Sequence, residues 1–200
     1  MCNINKKGAN TMKKATSCIG GLIAGILLIL IDQWTKYMAV LHLKEQPAFV
    51  LWKGVFELQY LENKGAAFGM LQGKKWFFIV ISVLFILALC YFYLRIPSGK
   101  KFWALRVIAI FLFAGSVGNL IDRILHNYVI DFFYLKCIDF PVFNVADIYV
   151  TVFCGLLILL ILFYYKEEDL AAIFSQRKKI SSVNNQAADT TGESDKDKIE

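Results

Sequence analysis

Of the 200 residues, 58% are hydrophobic and only 19% are charged, where a soluble domain carries about 25% charged residues. The apolar residues fall into four blocks, and the net charge of +6 (22 Lys and Arg against 16 Asp and Glu) sits in the short segments flanking them. This pattern excludes a soluble globule, a disordered chain and a disulfide-stapled secreted module, and its placement argues against nucleic acid as a partner; a small polytopic membrane protein is expected.

Residues 1–18 contain Lys6, Lys7, Lys13 and Lys14 and read as a basic cytoplasmic segment. The first apolar block, 19–38, ends in Asp32, Gln33 and Lys36. No small-x-small cleavage site follows it, so it reads as a retained helix and not a removed signal peptide. In the next loop, 42–75, Phe56, Leu58 and Tyr60 alternate with Glu57 and Gln59, the period of a strand. Lys53-Gly54 can turn that strand back onto Ala48–Trp52, giving a small hairpin on the membrane surface.

Trp76–Leu94 is the second block and carries no charge; Phe102–Ile121 is the third, with Arg106 near its start and Asp122 just past its end; Ile148–Tyr165 is the fourth, again uncharged. Each approaches the roughly 20 residues that cross about 30 Å of hydrocarbon as a helix, the form that satisfies the backbone in lipid. Residues 19–165 are thus expected to form one all-α membrane domain of four transmembrane helices with a small β-cradle outside. Residues 166–200 are expected to be a disordered cytoplasmic tail, polar and acidic from Ser181 onward.

Four spans put both termini on one side. The N-terminal segment, the 95–106 stretch and residues 166–180 hold twelve basic residues, and the loops 42–75 and 122–147 hold seven. Both termini are therefore expected in the cytoplasm.

In that topology the polar residues at the span ends gather on the outer side: Asp32, Lys36, Asn63, Asn119, Asp122, Arg123, Asp131, Asn144 and Asp147. Each is costly to keep near lipid. Two histidines, His42 and His126, and five cysteines without a C-x-x-C pair support neither a metal site nor a triad, and there is no H-E-x-x-H, P-loop or G-x-S-x-G. Carboxylates remain. Two close aspartates share a proton, so one can take a proton from water while its protonated partner polarises a peptide carbonyl. Asp147 stands just before the fourth block, and its partner could be Asp122, Asp131 or Asp139; spacing does not choose.

Structural readings compete at each position. Asp122 could pair with Arg123, Asp147 could cap a helix and Asn144 could serve as a loop cap, Asp32 and Lys36 could be an i,i+4 pair, and Asn63-Lys64-Gly65 could be a turn. A carboxylate-driven transporter would need polar residues through the second and fourth blocks, which have no charges. A scaffold would not need them gathered on one side.

Five segments, in order, resemble those of the lipoprotein signal peptidases, or signal peptidase II. They are Asp32-Gln33-Trp34-Thr35-Lys36, Asn63-Lys64-Gly65-Ala66-Ala67-Phe68-Gly69, Gly118-Asn119-Leu120-Ile121-Asp122-Arg123, Val129-Ile130-Asp131-Phe132 and Phe143-Asn144-Val145-Ala146-Asp147. The resemblance implies that Asp131 and Asp147 are the catalytic aspartates. It implies that Asn63, Gly65, Ala66, Asn119, Arg123 and Asn144 line the pocket, that Asp122 and Arg123 hold its shape, and that Asp32 and Lys36 support it from the first helix. The implied activity is removal of signal peptides from diacylglyceryl-modified prolipoproteins, just before the lipidated cysteine, at the outer leaflet of the bacterial inner membrane. No cofactor or metal is implied, membrane lipid is a partner, sensitivity to globomycin is expected, and the chain is expected to act as a monomer.

Overall fold

The computed structural model describes residues 2–65, 74–97 and 99–174. Four helices follow from the four apolar blocks: α1 (Cys2–Leu43), α2 (Lys75–Arg95), α3 (Trp103–His126) and α4 (Val145–Phe163). The stretches long and apolar enough to cross a membrane are Cys18–Leu43, Lys75–Arg95, Lys100–His126 and Val145–Phe163. The third is longer than its apolar block: Asp122 and Arg123 belong to the last turns of α3, not to the loop beyond.

Helix α3 is the centre of the bundle, with α1, α2 and α4 all packed on it. Its buried residues, among them Leu105, Ile108, Leu112, Gly115, Gly118 and Asp122, recur every three or four positions and so share one face. The other helices leave their apolar side chains outward. Helix α2 has no buried residue, and residues such as Leu84 and Leu162 are exposed, an arrangement that is stable where the surroundings are hydrocarbon.

A three-stranded antiparallel sheet, β1 (Phe49–Trp52), β2 (Phe56–Asn63) and β3 (Val129–Leu135), lies in the order β1-β2-β3 at the end of the bundle where α1 and α3 finish and α4 begins. The expected hairpin is present. Gly54 makes its turn with φ of 76°, a conformation that suits a residue without Cβ. Strand β3 was not expected. Val129, Ile130, Asp131 and Phe132 are all buried, so the segment lacks the alternation of a one-sided strand. It pairs with β2 in a register that sets Asp131 opposite Leu61 and Val129 opposite Asn63.

At the other end, the expectation of disorder from residue 166 is corrected at its start. Glu167–Phe174 forms a short helix, α5. Its Ile173 is buried with Ile96, Leu105 and Tyr165, and its Asp169 lies 2.6 Å from Lys101 Nζ. The apolar Leu170 and Ile173, three apart, give this segment a face to bury. The stretch 175–200 lies outside the described residues.

Candidate active site

The ends of α1, α3 and α4 and the edge of β3 bring the polar residues into one buried cluster. Asp32, Lys36, Asp122, Asp131 and Asn144 are each at most 1% exposed. Among the described residues, no buried side-chain nitrogen or oxygen lacks a hydrogen-bond partner, so the cost of burying so many polar groups is met internally.

Asn144 is the N-cap of α4 and Asp147 is its N3 residue, and together they form a capping box. Asn144 Oδ1 accepts from the Asp147 amide at 3.0 Å, and Asp147 Oδ2 accepts from the Asn144 amide at 3.1 Å. The expected cap at the start of α4 is therefore present. Because the box consumes one oxygen of Asp147, the other is free to take a proton donor: Asn119 Nδ2 donates to Oδ1 at 2.8 Å.

The same Asn144 reaches the second aspartate. Its Nδ2 donates to Asp131 Oδ1 at 2.6 Å, while Asn63 Nδ2 donates to Asp131 Oδ2 at 2.8 Å. The Asn63 amide is itself oriented by a turn, since its Oδ1 accepts from the Gly65 backbone at 3.0 Å. Asp131 is thus held on both oxygens. Burial, and after it the negative charge of Asp147, push Asp131 up to about 7 despite these donors. A carboxyl group in that range carries or releases a proton near neutral pH.

Beneath this pair lies a charged support. Lys36 Nζ sits 2.9 Å from Asp32 Oδ2, 3.0 Å from Asp122 Oδ2 and 2.9 Å from Asn119 Oδ1, which uses all three protons of the ammonium. Each aspartate then fixes a backbone segment. Asp32 Oδ1 accepts from the Ala146 amide at 2.9 Å, and Asp122 Oδ2 accepts from the Ile130 amide at 3.1 Å. Gly118 faces this support, and a Cβ there would overlap the Asp32 carboxylate.

The pairing of Asp122 with Arg123 is corrected. Successive residues on a helix point to different sides, so Asp122 turns inward to Lys36. Arg123 donates to the Asn119 carbonyl at 3.3 Å and lies over the Phe78 ring, 5.1 Å from its centroid. Asp139 is exposed in a left-handed turn, where Tyr134 donates to it at 2.5 Å, so it does not join the cluster. His42 and His126 are exposed. Gly65 is buried beside Asn63, and Ala66 lies outside the described residues.

Gln33 was missed as a site residue. Its Nε2 lies within hydrogen-bonding distance of Asp122 Oδ1 (3.0 Å), Asp32 Oδ2 and the Gly118 carbonyl (both 3.2 Å). The signal was available: an amide inside an apolar span is costly unless it has partners.

The chain was compared with known proteins. A family model described as signal peptidase (SPase) II matches residues 24–163. A lipoprotein signal peptidase of Streptococcus thermophilus (strain CNRZ 1066) is 43% identical over 136 residues, covering 68% of this chain and 88% of the relative. One from Symbiobacterium thermophilum is 41% identical over 138 residues, covering 68% and 90%. A solved structure described as a bacterial membrane enzyme superposes with a TM-score of 0.65 at 32% identity, covering 74% of this chain and 92% of that one.

Proposed function

The chain belongs to the signal peptidase II family, and from that premise we propose that Asp131 and Asp147 are its catalytic aspartates. It is a lipoprotein signal peptidase, an aspartic endopeptidase and a multi-pass bacterial membrane protein acting on prolipoproteins. The observation that carries the assignment is the bridge made by Asn144. Its side chain donates to Asp131 and its backbone to Asp147, so one residue sets the position of both carboxyl groups.

In the proposed mechanism Asp131 starts protonated and Asp147 ionised. The pair shares one proton: burial and the charge of Asp147 push Asp131 up to about 7, and Asp147 accepts from the Asn144 amide and from Asn119. Asp147 takes a proton from water as its oxygen bonds to the scissile carbonyl carbon, and Asp131 gives its proton to the carbonyl oxygen. The tetrahedral diol then collapses. Asp147 passes its proton to the leaving nitrogen as the C–N bond breaks, and Asp131 recovers a proton from a diol hydroxyl. Both groups return to their starting states. Asn63, Asn119 and Asn144 orient the pair, with Lys36, Asp32, Asp122 and Gln33 behind them.

The remaining parts of the reading are placement and substrate. The basic residues flanking the spans support cytoplasmic termini, which puts the cluster at the outer leaflet. A diacylglyceryl-modified cysteine and its signal helix would arrive there laterally from the bilayer, with cleavage just before the modified residue.

The test is cleavage of a diacylglyceryl-modified prolipoprotein by purified protein in vesicles, beside an unlipidated precursor. Asp131→Asn and Asp147→Asn should each abolish turnover, and the unlipidated form should stay intact. Full activity in either folded variant refutes the dyad, and cleavage of the unlipidated precursor refutes the requirement for lipid.

A further inference from the structure

We infer that the half of the bundle remote from the dyad holds one acyl chain of an anionic phospholipid, in a groove between α1, α2 and α3. Helices α1 and α2 pack chiefly on α3 and leave between them an apolar cavity of about 270 Å³. Gly21 and Gly25 of α1, Leu89 and Tyr93 of α2, and Ile110 and Phe113 of α3 line it. These positions lie in the first turns of the apolar span Cys18–Leu43 of α1, at the end of α2 and in the first half of α3, so the groove is in the half of the bundle away from the sheet. A groove of this size suits part of one acyl chain and is too small for a helix.

An apolar groove alone selects nothing in a bilayer, because lipid tails are as apolar as the lining. The selection comes from the rim. Arg95 follows the lining residue Leu94 directly and lies over Tyr91, 4.7 Å from its centroid. Arg106 lies 5.8 Å from the centroid of the lining Tyr93 and donates to the Ile96 carbonyl at 2.9 Å. Two guanidinium groups beside the mouth of the groove complement a phosphodiester headgroup. No positive charge stands among the lining residues themselves, so charge and chain are recognised at separate places. From the usual contribution of a basic side chain near an anionic membrane surface, two arginines should give about a thirty-fold preference for anionic over zwitterionic lipid.

Native mass spectrometry of the full chain, released from nanodiscs of phosphatidylglycerol and phosphatidylcholine in equal parts, tests this. The wild type should retain one phospholipid, phosphatidylglycerol, by about thirty-fold. Arg95→Gln should lower that preference about five-fold while a lipid is still retained. Gly25→Leu should lose the lipid. A Cβ at Gly25 meets Phe113 and Ile110 at ordinary contact distances of 3.8 and 3.9 Å, so the new side chain grows into the groove without disturbing the helices. Its cleavage of prolipoprotein should persist, which shows that the variant is folded. Equal retention of the two lipids, or full retention by Gly25→Leu, overturns the inference.

Discussion

Replacing Lys36 with methionine keeps an apolar stem but removes the ammonium on which Asp32, Asp122 and Asn119 converge. Both carboxylates lie within 3.0 Å of that nitrogen, so their facing oxygens are no more than about 6 Å apart. At an effective dielectric constant of about 20, two negative charges at that separation repel by about 3 kcal/mol. The loss of three charge-assisted hydrogen bonds adds to this, and breaking a buried pair commonly costs about 3–5 kcal/mol in all. Lys36→Met should therefore lose about 4 kcal/mol of stability, read by tryptophan fluorescence during SDS titration in mixed micelles. Adding Asp32→Asn restores the net charge of the cluster and supplies an amide that can donate to Asp122. The double variant should recover about 2 kcal/mol, a coupling typical of residues in one network. A single variant within about 1 kcal/mol of wild type, the range of an exposed ion pair, would refute the reasoning. So would a double variant no more stable than the single.

Three further predictions concern the site and the C-terminus. Asp131 is raised from 3.8 to about 7 in the folded protein, so the folded state holds its proton more tightly. The contribution of Asp131 to stability is then fully present below pH 4 and is lost, by on the order of 4 kcal/mol, as pH rises through 7; Asp131→Asn should remove that part of the slope in thermal unfolding measured between pH 4 and 8, and an unchanged slope would contradict the raised value. Asn63→Ala removes a donor to Asp131 and the turn at Gly65, and should lower kcat about 10- to 100-fold in the prolipoprotein assay with little change in KM. Removing residues 180–200 should leave cleavage intact, while ending the chain after Lys166 uncovers Ile96, Leu105 and Tyr165 and should lower the unfolding midpoint; equal midpoints for the two truncations would show that α5 contributes nothing.

The four spans were legible because their apolar runs have the length a bilayer requires, and the hairpin because Phe56, Leu58 and Tyr60 alternate. Strand β3 was not, since burial on both faces removes the alternation by which a strand declares itself. The site was legible as a set of residues but not as a set of contacts. Spacing could not choose between Asp122, Asp131 and Asp139 because their placement depends on β3: pairing with β2 carries Asp131 to the start of α4, while the turn after β3 leaves Asp139 exposed. Asp122 was paired with its neighbour Arg123 in sequence, whereas the helix turns it toward Lys36, 86 positions away. Asp147 gave a correct signal of a helix start, and nothing in the local pattern said that Asn144 would join this cap to Asp131.

The position of Lys36 has a consequence for biogenesis. One nitrogen of α1 joins Asp122 of α3, which holds the Ile130 amide, and Asp32, which holds the Ala146 amide at the start of α4. The aspartates of the dyad follow those two amides by one residue each. A nascent chain with only its first three helices inserted lacks Asp147 and has nothing to seat against Asp32. On the proposed assignment of Asp131 and Asp147, peptide-cleaving capacity arises only when the last helix docks, and a half-made enzyme passing through the insertion machinery cannot cut the proteins around it.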